Sequence, residues 1–221
     1  MNSKFNTRRL VLTSMLLALA ASLAFVCAYI PFLNLPFGGG FTVASMLPVV
    51  LIAYMYGTRW GLASAAVYSF IQLAFGAFTG GGYVVSLFTV GSDDFMGYGA
   101  AVWICLIDYL LAYTLLGLGG IFRNKLKKTP ALVLGTVLAL GLRYFAHIVS
   151  GYIFFGAWAE WFFSQEGFYA IGEKILSVFS GEVLGIVYSV FYNGLYMIPE
   201  IVITAVAAAF VSAIPQIKKY D

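Results

Sequence analysis

Charge is what this chain has least of. Its 221 residues include 12 Lys and Arg and 9 Asp and Glu, 10% in all, against about a quarter in a soluble domain. So few charges could not cover a water-facing surface. Soft metal ligands are equally scarce: one histidine, His147, and two cysteines, Cys27 and Cys105, each inside an apolar run. A structural zinc site takes about four such ligands, so neither a metal nor any other cofactor is expected. The cysteines read as small buried hydrophobes rather than a disulfide.

Catalytic signatures are missing too. There is no H-E-x-x-H, no G-x-S-x-G and no second histidine, which leaves an intramembrane hydrolase without its metal set or its nucleophile and base. Ser150 follows His147 by three residues, but a serine in a membrane helix commonly bonds back to its own backbone. The chain is therefore not expected to be an enzyme. No G-x-x-x-x-G-K-[ST] occurs, so nucleotide energy for any transport must come from another chain. Neither the inverted repeats of a self-sufficient carrier nor the repeated polar stripe of a channel is evident.

What the chain does have is apolar length. Apolar residues make up 62% and aromatics 18%, and a span needs about 20 residues. Spans are expected near 10–30, 41–57, 60–78, 100–121, 131–156 and 185–213. The fold class is thus an all-α membrane protein, six transmembrane helices in a single domain over 1–221. The first stretch follows "MNSKFNTRRL" and outruns a signal peptide's apolar core, with no small-residue cleavage site after it, so it reads as a retained span.

Ten of the 12 basic residues lie at the termini or in the 2–3 and 4–5 turns: Lys4, Arg8, Arg9, Arg59, Arg123, Lys125, Lys127, Lys128, Lys218 and Lys219. Positive charge marks the cytoplasmic side, so both termini are expected there. The opposite loops carry Asp93, Asp94, Glu160, Glu166, Glu173 and Glu182, with Lys174 alone. Within 157–184, "EWFFSQEGFYAIGEKILSVF" has the pattern of a short amphipathic helix at the interface. The Gly-rich, aromatic stretches "PFLNLPFGGG" and "TGGGYVVSLFTVGSDDFMGYG" suit either a lid over an outward-opening site or aromatic anchors at the headgroups.

Among the polar residues inside the spans five stand out: Asp108, Arg143, His147, Asn193 and Glu200. An arginine at the bilayer centre costs roughly 2.5–3.5 kcal/mol on insertion scales, so each needs a reason to be there. Arg143 and His147 share a helix face at i, i+4, and Glu200 is a candidate ion-pair partner for Arg143. Asp108, His147, Tyr188 and Asn193 fall at similar depth in the outer halves of spans four, five and six. Around them Tyr109, Phe155, Trp158 and Tyr83 or Tyr98 are candidate walls. A carboxylate among aromatic rings suits a planar, nitrogen-rich cation, through charge pairing and π contacts.

The stretches "LIDYLLAYTLLGLGGIF", "LRYFAHIVSGYIFFGAWA" and "YSVFYNGLYMIPE" resemble the fourth, fifth and sixth spans of the thiamine-specific S component of energy-coupling factor (ECF) transporters. The opening "MNSKFNTRRLVLTSMLLALAASLAF" is similar more loosely, and together these cover about a third of the chain. The resemblance implies a six-helix subunit of the bacterial plasma membrane, in contact with lipid and with no nucleic acid partner. It would capture thiamine from outside and work with a shared transmembrane subunit and two ATPase subunits. The implied ligand contacts are Asp108, Tyr109, His147, Tyr188 and Asn193. Phe155 stands where some relatives have Trp, with Trp158 nearby. Before the second span, "GGGFTVASMLP" has Gly and Phe in place of a Trp found in some relatives, and Tyr83 opens a longer loop than usual. In the first span Ala18 and Ser22, and Ala20, Ala24 and Ala28, form small-x-x-x-small rows that allow close helix approach. In the family such a face meets the shared subunit; packing within the chain is the alternative. A sister S component for riboflavin or a pyrimidine precursor is the other reading of the function.

Overall fold

The computed structural model describes residues 7–35, 39–79 and 82–220. Lys4, the centre of the first outer loop (36–38) and residues 80–81 of the second lie outside the described residues. Among the described residues the only β pairing is one antiparallel bridge, Asn34 with Gly40.

Helix α1 spans Thr7–Ala28, a run rich in Leu and Ala with no Gly or Pro to break it. It ends just before Ile30-Pro31. The proline forces Ile30 into an extended conformation, φ −95° and ψ 109°. The next apolar stretch differs from the expected span over 41–57. Its helix, α2, covers only Leu47–Tyr56, with Pro48 in the first turn, where its missing N–H costs nothing. Upstream, Ala44 takes a left-handed φ of 57°, which interrupts any helix there. Ten residues span about 15 Å, half the hydrocarbon thickness. Leu47 through Met55 are all buried, as befits a helix apolar on every side.

Helix α3 covers Thr58–Phe78 and the short α4 Tyr83–Phe88. Helix α5, Tyr98–Gly120, changes character along its length. It is α-helical to Ile104, π-helical over Cys105–Leu111, and 3-10 over Leu115–Gly120. Helix α6 covers Lys128–Phe155, followed by a 3-10 turn, Gly156–Trp158, and α7, Ala159–Phe163. Helix α8, Tyr169–Val178, matches the expected short amphipathic segment, and α9 runs over Gly181–Ser212 with Pro199 inside it. Among the described residues five helices are long and apolar enough to cross a membrane: Thr7–Ala28, Thr58–Phe78, Tyr98–Gly120, Lys128–Phe163 and Gly181–Ser212.

Apolar side chains face outward, including Phe145, Val202 and Phe210. Lipid supplies no hydrophobic force between helices, so cohesion comes from close approach and polar bonds. Where α3 crosses α5, a Cβ on Gly117 would lie 2.3 Å from the Leu62 nitrogen; where α6 crosses α5, one on Gly135 would lie 2.0 Å from the Gly119 oxygen. Only glycine permits those crossings. Helices α6 and α9 pack along their length, joined by Thr129 Oγ1 to Ser212 Oγ at 2.8 Å and by Ser189 Oγ donating to the Ile148 carbonyl at 2.7 Å.

One end of the bundle collects the basic residues. The Arg123 guanidinium donates to the carbonyls of Tyr54, Met55 and Tyr220 at 2.9, 3.2 and 2.9 Å, satisfying the open carbonyls at the end of α2. Arg8 lies 5.5 Å from the Tyr220 ring and Arg9 3.8 Å from the Trp60 ring. Lys128 donates to the Ile214 carbonyl at 2.6 Å. The start of α1 and the C-terminal tail therefore meet at the same end.

The two small-residue rows of α1 separate. Ala18 and Ser22 are exposed, whereas Ala20 is 0% and Ala24 8% exposed. Ala20 packs with Tyr68 and Met197 in the core. Two residues advance a helix by about 200°, so the rows point to opposite sides. Of the expected docking residues Ala18, Ala20, Ser22 and Ala24, the two inward ones hold the chain together instead.

Candidate functional site

The polar centre forms where α5, α6 and α9 meet. Asp108 sits in the π-helical turns of α5, where i→i+5 bonding widens the helix, a feature frequent at functional sites. None of Cys105–Leu111 is fully buried, unlike Ile104 and Ala112 on either side. Across from Asp108, α6 presents His147 and Ser150 one turn apart. His147 Nδ1 lies 2.7 Å from Asp108 Oδ1, and Ser150 Oγ donates to Oδ2 at 2.6 Å. Hydrogen bonds to a charged acceptor contribute about 1.5–3 kcal/mol each. A neutral imidazole that donates from Nδ1 carries its lone pair on Nε2. Nε2 is buried and has no hydrogen-bond partner among the described residues, so it is an acceptor in search of a donor.

Asn193 reaches the same centre from α9 but is already engaged. Its amide nitrogen donates to the Ser189 carbonyl at 2.8 Å and to the His147 carbonyl at 3.2 Å, and its oxygen accepts from the Tyr196 hydroxyl. It ties α9 to α6 beneath the histidine. Tyr196 stands edge-on to His147, ring centres 5.9 Å apart. Gly39 lies directly over Tyr196, so that a Cβ there would be 3.2 Å from the ring. The chain before α2 thus covers this side of the centre.

Tyr109 is directed to α3, and its hydroxyl occupies the space where a Cβ on Gly76 would be. Tyr83, at the start of α4, has its phenol pushed above the ordinary range by burial first, then by the nearby Asp108 carboxylate, Tyr109, Asp94 and Tyr192. Phe155 packs between the Leu87–Ile104 cluster and the Phe162–Tyr188 cluster. Tyr188 is buried against Phe162 and Tyr192, with ring centres at 5.2 and 5.6 Å.

Trp158 is different. It is 41% exposed, and its ring meets Trp161 edge-on at 6.0 Å. The 3-10 turn after α6 carries it toward the surface, and no described contact joins it to Asp108 or His147. Sequence reasoning set Ser150 aside as a serine bonded to its own backbone, whereas it bonds to Asp108, and it missed Tyr192 and Tyr196. The signal for the tyrosines was present, because Tyr188, Tyr192 and Tyr196 recur every four residues and so form one stripe on α9.

Below the centre, Arg143 and Glu200 do not pair, which corrects the expected ion pair; no bridge joins them among the described residues. Arg143 lies 4.2 Å over the Tyr113 ring and donates to the Tyr113 hydroxyl at 3.0 Å and to Met46 Sδ at 2.9 Å. Glu200 accepts from Thr42 and, at 3.2 Å, from the Thr204 hydroxyl. Among the described residues no group of three His, Cys, Asp or Glu side chains is placed to hold a metal ion.

A carboxylate and an imidazole set among tyrosines, inside a helical bundle with apolar side chains on its outer face, make a polar centre within a membrane-embedded protein. The family model for the thiamine transporter protein family (Thia_YuaJ) matches residues 14–165. The chain belongs to that family, and it is a multi-pass protein of the cell membrane. It is 27% identical over 233 residues to the thiamine transporter ThiT of Bacillus subtilis (strain 168), with 100% of this chain and 99% of that protein covered. A structure of ThiT from Listeria monocytogenes, obtained by native-SAD phasing, shares the fold. Its TM-score is 0.50 at 20% identity, over 93% of this chain and 98% of that one.

Proposed function

We propose that this chain is the thiamine-binding S component of an energy-coupling factor transporter. It takes thiamine from outside the cell, and a separate ATP-driven module, the shared transmembrane subunit with two ATPase subunits, completes uptake. The observation that carries this reading is the Asp108 carboxylate, held by His147 and Ser150 inside a tyrosine-lined bundle in a member of the thiamine transporter family.

Each group has work that suits thiamine. Asp108 faces the thiazolium charge, and His147 Nε2 accepts from the amino group of the pyrimidine. Tyr83, Tyr109, Phe155 and Tyr188 supply ring faces, while Asn193 keeps α6 and α9 in register. Trp158 stands at the mouth. The basic end, with both termini, lies in the cytoplasm, and α2 with the extended chain before it makes the sixth crossing. The exposed Ala18–Ser22 row, flanked by Met15 and Leu19, offers the shared subunit a face for close helix approach.

Calorimetric titration of the purified chain with thiamine tests the binding. Proteoliposomes that contain only this chain should bind labelled thiamine without concentrating it. Accumulation against a gradient without ATP would overturn the proposed division of labour.

A further inference from the structure

We infer that Ser150 is a positioning residue of the thiamine site, whose hydroxyl takes the place of a water molecule on Oδ2 of Asp108. The inference rests on the thiamine reading above and deepens it. Ser150 is 1% exposed and donates to Asp108 Oδ2 at 2.6 Å, across the gap between α6 and α5. It does not spend its hydroxyl on its own helix, as a serine in a membrane helix commonly does.

The geometry gives this bond a purpose. The carboxylate of an aspartate turns about a broad, roughly two-fold torsion, so one donor on one oxygen leaves its aim loose. His147 holds Oδ1 at 2.7 Å and Ser150 holds Oδ2. Their i, i+3 spacing puts both donors on one ridge of α6, which fixes the plane of the carboxylate and turns its remaining lone pairs away from α6. The neutral hydroxyl of Ser150 solvates the anion without adding a positive charge that would cancel it. Arg143, the cation on the same helix, is directed elsewhere, to Tyr113 and Met46. The negative charge is therefore oriented yet left for the ligand. Water would do the same only at the cost of a looser, wetter site.

A double-mutant cycle on the purified full-length chain tests the assignment, with thiamine affinity read by calorimetry. In Ser150→Ala, the dissociation constant should rise about tenfold, the lower range for a hydrogen bond to a charged group. In an Asp108→Asn background the same change should have an effect of about twofold or less, because a positioning residue acts only through the group that it positions. Ser150→Cys keeps the volume and offers only a weak donor, so it should lose affinity in the same direction and separates the lost bond from any cavity. Equal losses in both backgrounds would assign Ser150 to packing and overturn the inference. So would Ser150→Ala and Ser150→Cys proteins that bind as wild type does. A wild-type chain that binds no thiamine overturns the thiamine reading and this inference with it.

Discussion

Glu200 and Thr42 stand 158 residues apart in the chain, yet the Glu200 carboxylate accepts both the backbone N–H of Thr42, at 2.5 Å, and its hydroxyl, at 2.9 Å. This contact anchors the segment that precedes α2 to the middle of α9. The same segment lies over Tyr196 at Gly39. A carboxylate that looked like the partner of Arg143 in fact fastens the cover of the site.

Glu200→Ala should accordingly destabilise the protein. It removes the acceptor for a half-buried backbone N–H and two hydroxyls, and a fully buried group left unsatisfied costs about 1–3 kcal/mol. The melting temperature in detergent should fall, and thiamine affinity with it. An unchanged melting temperature would dissociate Glu200 from the anchoring of this segment.

Asp108→Asn should do the reverse, leaving the fold intact and weakening thiamine binding. Removing one partner of a buried ion pair costs about 3–5 kcal/mol, and about 1.4 kcal/mol is tenfold. The dissociation constant should therefore rise by on the order of a hundredfold or more. Calorimetry of the two variants side by side separates the roles. A smaller loss in Asp108→Asn than in Glu200→Ala would mean that the charge partner is not Asp108.

Phe155→Ala should weaken thiamine binding more than Trp158→Ala. Phe155 packs against the Leu87–Ile104 cluster, as Tyr83 does, and against the cluster that contains Tyr188, whereas Trp158 meets Trp161 near the surface. Fluorescence titration reads both. Thiamine quenching that disappears in Trp158→Ala would bring that ring to the ligand and reverse the order.

On α1 the two small-residue rows should respond differently. Ala18→Trp adds bulk to an exposed face, so it should block uptake in cells and leave the affinity of the purified chain intact. Ala20→Trp forces an indole into a position that is 0% exposed and should lower the melting temperature and the yield. Normal uptake by Ala18→Trp cells would remove that row from the docking face.

Much of the site was legible because helix periodicity and polarity are local. Asp108, His147 and Asn193 stood out as polar residues within apolar runs, and the structure brings all three to one centre. Ser150 carries the same kind of side chain as many helix serines, and nothing local distinguishes one that bonds across a gap. The exposure of Trp158 could not be read locally, because it is set by the short 3-10 turn Gly156–Trp158 that follows α6.

Composition and apolar run length by themselves determined that this is a helical membrane protein, because hydrocarbon leaves no backbone group unbonded and continuous apolar runs of about 20 residues meet that demand as helices. The scatter of basic residues likewise determined which ends of the helices belong together. Tertiary structure decided the rest. It shortened the second span to Leu47–Tyr56, turned Ala20 inward and Ala18 outward, and separated Arg143 from Glu200. It also gave Asp108 two donors from a helix 39 and 42 residues further along. These outcomes depend on which helix faces which, and at what depth, a relation between distant residues that no local pattern encodes.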